Sequence, residues 1–473
     1  MANPASGSAP QSAILYQNAQ CDVTLIDIPT SIAAAQGRSD ILLSTAPLEA
    51  PILLHEEPKS EKAKTGQSYH LPDADLAAEY KSIIEKALNQ IRQHVPSPWC
   101  APRKLLAQLP KPGKTDMQID DPEKELENRL REWAAIDGSK GDDSVFDFQK
   151  MMAALGATPE DATVTEQVAR KWLMSYCPAR EIQNDAQHAA SISGMEPNAQ
   201  QEPWVSSFHN PEKHALDLTV FETPSGTSQE PPEYHFTIPP RATFFLSDST
   251  HSEAFRASFR KVTGEYTLPR HFDLVLLDPP WPNRSAKRKG AYEQVGGMPR
   301  MKKMLLSMDI DNYLEHNALV GIWITNKEVM RKHILGPGGL FEKWNIGLIE
   351  EWIWVKTTVH GEPMFDLDSA LRKPYEILLL GRAAPNSWTT MASAPTVKKR
   401  VIAAVPDIHS RKPCLKELLE PYIPTANDYS ALEIFSRVLV SGWTSWGNEV
   451  LKHNSSQYWA PNLENYPAGA PFG

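Results

Sequence analysis

The sequence is poor in cysteine and contains no long apolar run. Its 473 residues include only four cysteines, none paired at metal-ligand spacing: Cys21, Cys100, Cys177 and Cys414. A disulfide framework and a metal site are therefore not predicted, and a reducing compartment is expected. No apolar run approaches the ~18–20 residues that a membrane helix needs. The first eight residues lack the charged and apolar regions of a secretory signal, so none is expected.

Positive charge is also in short supply. Lysine and arginine number 48 against 58 acidic residues, which gives a formal net charge of −10. A chain of this charge does not coat nucleic acid indiscriminately, so any contact with phosphates must come from a local patch. One such patch is present, and a solvated loop is the alternative interpretation: Arg284, Lys287, Arg288, Lys289, Arg300, Lys302 and Lys303.

The length predicts more than one domain. We place a leader and a short β element in residues 1–60, where 13–16 and 21–28 resemble a hairpin. A helical domain with a proline-rich linker is predicted for residues 61–200. Its helices are predicted at 73–95, 123–136, 145–155 and 164–175, and we expect this region to pack on the domain that follows.

Residues 201–473 are predicted to form an α/β domain, because strands and helices alternate from about residue 241. The predicted strands are 243–246, 272–277, 319–325, 346–356, 376–380 and 430–435. The predicted helices are 252–262, 300–315, 327–335 and 414–422.

The tetrapeptide Asp278-Pro279-Pro280-Trp281 directly follows the apolar run 272–277. A strand ending there places a carboxylate, acceptor carbonyls and a large ring at the ligand-binding edge of an α/β sheet. Asp278 and the Pro279 carbonyl could accept the two N–H groups of an adenine N6 amine, and proline supplies no competing donor. Trp281 could stack on a base removed from its strand. An ordinary turn after a strand is the alternative interpretation.

The residues after the tetrapeptide favour the catalytic interpretation. They form a basic loop that contains Asn283, Arg284, Ser285, Lys287, Arg288 and Lys289. Together with Lys373-Pro374-Tyr375-Glu376, this pattern resembles the MT-A-seventy family of adenine N6-methyltransferases, and it is most similar to the methyltransferase-like-four branch. The resemblance implies a Rossmann-like methyltransferase domain with a permuted motif order, in which the loop residues bind substrate phosphates.

The resemblance also implies S-adenosyl-L-methionine as the cofactor, although the usual glycine-rich loop after the first strand of a nucleotide fold is absent. A His-Ser-x-Lys-Pro segment implies that Lys412 contacts the cofactor. The match of the final strand implies that Arg437 lines the ribose region of the cofactor. The match of the segment 442–449 implies that Asn448 and Glu449 reach its adenosine part. Asp248 and Ser249 correspond loosely to a family aspartate that contacts the cofactor, and the resemblance also implies that Asp278 borders the cofactor. The branch usually has asparagine where this chain has Val438, which puts cofactor affinity in question. Glu376 is expected to brace the site.

The leading functional hypothesis is N6-methylation of adenine in RNA. The branch implies small nuclear RNA and an adenosine already methylated on its ribose, in a nuclear monomer, with the cytosol as the other location. The same chemistry on DNA is the first alternative, because a flipped base looks alike in both polymers. A non-catalytic RNA-binding partner subunit is the competing class.

Overall fold

The computed structural model describes residues 12–53, 74–106, 122–135, 172–179, 202–222, 232–250, 252–282, 297–369, 372–383, 397–409, 411–424 and 428–462. Its α-helices are α1 (Ile28–Gln36), α2 (Ala74–His94), α3 (Pro122–Ala135), α4 (Ser252–Tyr266), α5 (Gly297–Ser307), α6 (Glu328–Leu335), α7 (Leu340–Lys343) and α8 (Lys416–Leu419). Short 3₁₀ segments occur at Ile310–Tyr313, Glu420–Tyr422, Lys452–Asn454 and Ser456–Tyr458.

The strands lie before, between and after these helices along the chain. They are β1 (Ile14–Gln17), β2 (Val23–Ile26), β3 (Ile41–Leu42), β4 (Trp172–Pro178), β5 (Glu202–Pro203), β6 (Ser207–His209), β7 (Leu216–Glu222), β8 (Glu233–Ile238), β9 (Thr243–Leu246), β10 (Phe272–Leu277), β11 (Leu314–Ile324), β12 (Ile346–Lys356), β13 (Tyr375–Ala383), β14 (Lys398–Ala404), β15 (Ala431–Ile434), β16 (Thr444–Gly447) and β17 (Trp459–Ala460). This composition confirms the predicted α/β class.

The chain divides into two compact units, and each consists of segments that are separated in sequence. The first unit comprises Met1–Leu109, His271–Ala431 and Tyr458–Gly473. The second unit comprises Pro110–Arg270 and Leu432–Gln457. The domain boundaries inferred from composition, at residues 60 and 200, stay a prediction.

The first unit contains a mixed sheet with the strand order β1-β2-β14-β12-β13-β11-β10. β10 and β11 run parallel, as do β12 with β14 and β14 with β2, whereas β13 runs antiparallel to both of its neighbours. β10 is apolar at every position except Asp273, as expected for a strand buried in a parallel sheet.

Helix α2 packs against β2, β12 and β14 of this sheet. The predicted apolar stripe supplies its buried face: Tyr80, Ile84, Ala87, Leu88 and Ile91. One polar group joins this interface, because the Tyr80 hydroxyl donates to Glu351 Oε2 over 2.7 Å and Arg331 pairs with the same carboxylate. A buried carboxylate needs such partners to offset its loss of hydration.

The N-terminal hairpin is confirmed, but its second strand is shorter than expected. β1 and β2 pair antiparallel, and Ile28 begins α1 rather than ending the strand. Asp27 caps this helix by accepting the Thr30 backbone N–H over 3.1 Å, Pro29 lies in its first turn, and Gly37 ends it at φ 70°. These are ordinary helix start and stop signals that the apolar pattern of residues 21–28 obscured.

The second unit contains two sheets, with the strand orders β15-β16-β9-β6 and β5-β4-β7-β8. β15, β16 and β9 run parallel. Trp133 from α3 is fully buried and packs on Trp172 and Trp204, with ring centroids 5.2 and 4.9 Å apart. This aromatic cluster anchors α3, which lies within one residue of its predicted bounds.

Two predicted helices need correction. The helix expected at 164–175 is wrong at its end, because Trp172–Pro178 forms β4 and pairs along its whole length with β7. The helix expected at 300–315 ends at Ser307, and β11 already begins at Leu314, which pairs with Phe272. Pairing with a neighbouring strand overrode the local pattern in both places. The helix expected at 145–155 lies outside the described residues.

Within the described ranges, no helix is long and apolar enough to cross a membrane.

Candidate active site

Asp278 lies directly after β10, at the carboxyl end of the parallel pair β10–β11. The strand behind it is rigidly placed, since Leu274, Val275 and Leu277 are fully buried. The Asp278 side chain nevertheless keeps 32% of its surface exposed. The fold thus presents a fixed carboxylate at the edge where α/β sheets bind ligands.

Two hydrogen bonds made by Trp281 fix the conformation of the rest of the tetrapeptide. The Trp281 backbone N–H donates to the Pro279 carbonyl over 2.8 Å, and the indole Nε1 donates to the Trp323 carbonyl over 2.7 Å. One lone pair of the Pro279 carbonyl is therefore engaged, and the second remains for another donor. The indole bond holds the Trp281 ring against the end of β11.

Lys412 lies between two carboxylates of the first unit. Its Nζ is 3.0 Å from Asp278 Oδ2 and 3.0 Å from Glu376 Oε2. The Trp323 and Trp354 rings lie 5.4 and 5.9 Å from the same nitrogen. Burial alone would lower the pKa of Lys412, but Asp278 and Glu376 raise it above its ordinary value, so the ammonium keeps its charge.

Glu376 also binds Lys356, which extends the row of alternating charges. Lys356 Nζ lies 2.6 Å from Glu376 Oε1, so each oxygen of this carboxylate faces one ammonium group. Burial works against the charged form, but Lys412 and Lys356 outweigh it and lower the pKa of Glu376 to about 2. Glu376 therefore holds Lys412 beside Asp278 as a permanent anion, in line with the bracing role expected of it.

The loop that carries Lys412 is fixed by a buried ion pair. Asp407 Oδ2 and Arg411 Nη1 are 2.6 Å apart, with side-chain exposures of 0% and 1%. Arg411 also donates to the Leu43 carbonyl over 2.9 Å, and the Thr45 backbone N–H donates to Asp407 over 2.9 Å. The N-terminal β element thereby restrains the residue before Lys412.

In the second unit, Ser249 and Asn448 meet at the ends of β9 and β16. The Ser249 hydroxyl donates to Asn448 Oδ1 over 3.2 Å. Asp248 accepts the Thr250 backbone N–H over 2.8 Å, which closes the turn after β9. The structure thus places Asp248, Ser249 and Asn448, three of the residues predicted to bind the cofactor, directly after the neighbouring strands β9 and β16.

The turn after β15 is tight although it contains no glycine. Phe435 adopts a φ of 64°, a conformation in which glycine is the usual residue. Gly447 of β16 faces this turn, and a Cβ atom there would lie 3.1 Å from the Ser436 carbonyl oxygen. The close approach therefore needs its glycine on the neighbouring strand rather than in the loop. The Ser436 hydroxyl then donates to the Val438 carbonyl over 2.6 Å, which tightens the turn.

Arg437 and Glu449 form an ion pair in the second unit. Arg437 Nε is 3.2 Å from Glu449 Oε2, and Arg131 Nη2 of α3 is 2.7 Å from Glu449 Oε1. Burial alone would raise the pKa of Glu449, but the two guanidinium groups lower it. Glu449 is thus a buried, ionised acceptor.

Some predicted residues cannot be placed. The substrate-binding candidates Asn283, Arg284, Ser285, Lys287, Arg288 and Lys289 lie outside the described residues. Lys302 is described, and its ammonium donates to the Gly338 carbonyl over 2.6 Å. Over the part of the chain that the structure describes, no cluster of His, Cys, Asp and Glu side chains has the arrangement of a metal site.

Lys356 and Arg131 were missed by sequence reasoning. Lys356 is the last residue of β12, and Arg131 lies on a helix predicted only to pack. Arg131 does follow Glu123 and Glu127 at intervals of four, which places all three on one helix face. That spacing was the only sign in the sequence that Arg131 belongs to a charged cluster. The pairing of Arg131 with Glu449 and that of Lys356 with Glu376 each join two segments that are distant in sequence.

Comparison with known proteins identifies a protein family that matches the part of the chain containing these residues. The model of the MT-A70 family matches residues 272–449. Residues 272–449 belong to the MT-A70 family. This confirms the resemblance found in the tetrapeptide and the later motifs, and methyltransferases of the family use S-adenosyl-L-methionine as methyl donor.

Three relatives show the range of names in this group. The chain is 39% identical over 221 residues to "N6-methyladenosine RNA methyltransferase MTA1" of Cryphonectria parasitica, which covers 46% of this chain and 61% of the relative. It is 32% identical over 293 residues to "N(6)-adenine-specific methyltransferase METTL4" of Homo sapiens, covering 60% and 58%. It is 30% identical over 230 residues to "DNA N6-methyl methyltransferase" of Caenorhabditis elegans, covering 48% and 56%. The matches thus span less than two thirds of each relative.

The residues present fit such a cofactor. Its nucleoside part carries hydroxyl and amine donors. The second unit supplies acceptors for these groups in Asn448 and in the ionised Glu449.

Proposed function

We propose that this protein transfers a methyl group from S-adenosyl-L-methionine to the N6 atom of adenine in RNA. The observation that carries the proposal is the carboxylate of Asp278, fixed by a buried strand and paired with the ammonium of Lys412 at 3.0 Å. This arrangement provides a placed acceptor beside a permanent cation, in a chain whose residues 272–449 belong to the MT-A70 family.

The adenine amine is a poor nucleophile because its lone pair is delocalised into the ring. Asp278 accepts one of its N–H groups, and the second lone pair of the Pro279 carbonyl accepts the other. Two such acceptors favour a tetrahedral nitrogen, whose lone pair can then attack. The bound cofactor would supply an activated methyl group on a sulfonium. The bond from N6 to the methyl group forms as the bond from the methyl group to sulfur breaks, a neutral thioether leaves, and the extra proton on N6 passes to solvent. Catalysis of this kind depends on positioning and electrostatics rather than on a strong base.

Lys412 does not act as the base, because its raised pKa keeps it protonated. Its ammonium instead balances the negative charge of Asp278 and fixes the orientation of that carboxylate. Trp281 stacks on the adenine. The indole bond to the Trp323 carbonyl sets the angle of the ring before the base arrives.

Four residues within the second unit are proposed to bind the nucleoside part of the cofactor. Ser249, Asn448 and Glu449 supply hydroxyl, amide and carboxylate groups, and Arg437 fixes the carboxylate. Valine at position 438 removes a side-chain hydrogen bond usual in the branch. The tightened turn at Ser436 keeps the local backbone in place, so this difference affects cofactor affinity rather than the chemistry.

RNA is the proposed polymer, with small nuclear RNA and 2′-O-methyladenosine as the proposed target and the nucleus as the location. The fungal relative, which is the most similar of the three, is named an RNA methyltransferase. The nematode relative is named a DNA methyltransferase, so DNA is the alternative. The basic loop at residues 283–289 is proposed to hold the flanking phosphates.

A substrate panel tests the polymer. Purified protein and labelled cofactor are incubated with matched RNA and DNA oligonucleotides, with and without a 2′-O-methyl on the target adenosine, and the products are digested to nucleosides. We expect N6-methyladenosine from RNA, with the highest kcat/KM on the 2′-O-methylated strand. Preferential transfer to DNA would replace the polymer assignment. Binding of RNA and cofactor without any transfer would favour the non-catalytic partner.

A further inference from the structure

The second unit contains a row of side chains whose charges alternate in sign, and it joins α3 to the segment after β16. Arg437 pairs with Glu449 at 3.2 Å, and Glu449 pairs with Arg131 at 2.7 Å. Arg131 then approaches Glu127 at 3.8 Å. Lys452 closes the row, because its ammonium lies 2.5 Å from Glu127 and 2.8 Å from Glu123.

Helix α3 supplies three members of this row from a single face. Glu123, Glu127 and Arg131 are spaced by four residues, so their side chains lie one above another along the helix. The opposite side of the contact is a short segment in which Glu449 and Lys452 are three residues apart. Helix α3 lies outside residues 272–449, the part of the chain matched by the family model.

Two members of this row are buried, so each needs its oppositely charged neighbours to remain ionised. Glu449 is 8% exposed and Lys452 is 4% exposed. A carboxylate this buried is costly to ionise unless its oxygens are paired, and each oxygen of Glu449 has one guanidinium. Arg131 occupies Oε1, while Arg437 occupies Oε2. Without Arg131 the carboxylate would be free to turn towards Arg437.

We propose that Arg131 is a positioning residue for the cofactor site, acting through Glu449 to hold its carboxylate in the orientation that accepts the hydroxyl groups of the cofactor nucleoside. This inference rests on the proposed function, because it takes Glu449 as a cofactor contact. It gives α3, which lies outside the predicted methyltransferase domain in sequence, an indirect role in cofactor binding.

A purely structural role for Arg131 would have a different signature. Loss of α3 packing would lower the free energy of unfolding and would affect the whole unit. Arg129 provides a matched control, since it lies two residues earlier on the same helix. It contacts the Trp172 ring at 4.7 Å and Tyr234, but it makes no contact with Glu449 in the described residues. Arg129→Met therefore loosens the same helix without touching the carboxylate.

The test measures the dissociation constant of S-adenosyl-L-methionine with the full chain by calorimetry, beside thermal unfolding and kcat. We expect Arg131→Met to weaken cofactor binding by about 10-fold, with kcat at saturating cofactor nearly unchanged. Arg131→Lys keeps the charge and should recover part of the loss. Arg129→Met should lower the Tm by at least as much as Arg131→Met does. Its cofactor affinity should nevertheless stay within about 2-fold of the wild type.

A double-mutant cycle with Glu449→Gln completes the test. If Arg131 acts through Glu449, Arg131→Met should add nothing further once the carboxylate has been replaced. Wild-type affinity in Arg131→Met, an equal loss in Arg129→Met, or additive losses in the cycle would each overturn the inference. Failure of the wild-type protein to bind the cofactor would instead contradict the proposed function, and this inference with it.

Discussion

Asp278, Lys412, Glu376 and Lys356 form a row of alternating charges, and their order determines what each residue can do. Lys412 and Lys356 neutralise the carboxylate of Glu376 between them, and Lys412 then reaches Asp278. Asp278 is left with one oxygen engaged by the ammonium and the other available to an amine. The site therefore keeps a charged acceptor in place without any proton transfer to lysine.

Glu376 should make the protein sensitive to acid. Its pKa is lower in the folded protein, at about 2, than its ordinary value of 4.5. The stabilisation this shift provides is fully present above about pH 4.5 and is lost as the pH falls towards about 2, and it amounts to about 3 kcal/mol at most. The difference in unfolding free energy between wild type and Glu376→Gln should shrink over that window. A difference that stays constant from pH 6 to pH 3 would contradict the assignment.

Trp281 should contribute through both its ring and its indole N–H. Trp281→Ala removes the stacking surface and should weaken substrate binding by about 1–3 kcal/mol. Trp281→Phe keeps a ring but loses the bond to the Trp323 carbonyl. We expect a smaller rise in KM for Trp281→Phe than for Trp281→Ala, measured with RNA at saturating cofactor. Equal KM values for both variants would show that stacking has no role.

Among the elements, the loop before Lys412 depends most on a single contact. Breaking the buried Asp407–Arg411 pair with Arg411→Met should cost about 3–5 kcal/mol of unfolding free energy, because the remaining carboxylate is buried without its cation. Denaturant unfolding measures this cost. The exposed pair Glu328–Lys332 has the same spacing and is the matched control, and Lys332→Met should cost less than about 1 kcal/mol. Similar costs for the two variants would contradict the account.

The strands and the site differ in how well the sequence predicts them. β10 and the apolar stripe of α2 were predictable because buried positions need apolar residues, which form a run in a buried strand and a periodic stripe on a helix. β4 was not, because its pairing with β7 decided its conformation. The tetrapeptide and Lys412 were predictable as motifs. The ion pairs of Lys356 with Glu376 and of Arg131 with Glu449 were not, because each joins residues whose proximity only the fold creates.

At the scale of the whole molecule, the net charge of −10 opposes binding to nucleic acid. Lys287, Arg288 and Lys289 should therefore account for much of the salt dependence of RNA binding. Changing all three to Gln should weaken binding and reduce the slope of log K against log salt by about 2, as expected for three contacts to a single strand. Fluorescence anisotropy at several salt concentrations measures this slope.

A matched triple variant controls for the change in net charge. Lys86, Lys124 and Lys213 are exposed and lie far from the basic loop in sequence. Replacing them with Gln alters the net charge by the same amount but should leave the slope nearly unchanged. If both triple variants shift the slope equally, the effect belongs to the overall charge and the basic loop does not contact phosphates.

Asp278→Asn tests the central claim most directly, because it keeps the size of the side chain while it removes the charge and replaces one acceptor oxygen with an NH2 donor. The measurement is the single-turnover rate of N6-methyladenosine formation on RNA, beside thermal unfolding. The account predicts a rate at least about 100-fold below the wild type, with an unchanged fold. A variant that folds normally and methylates RNA at the wild-type rate would contradict the assignment of Asp278 as the acceptor of the adenine amine.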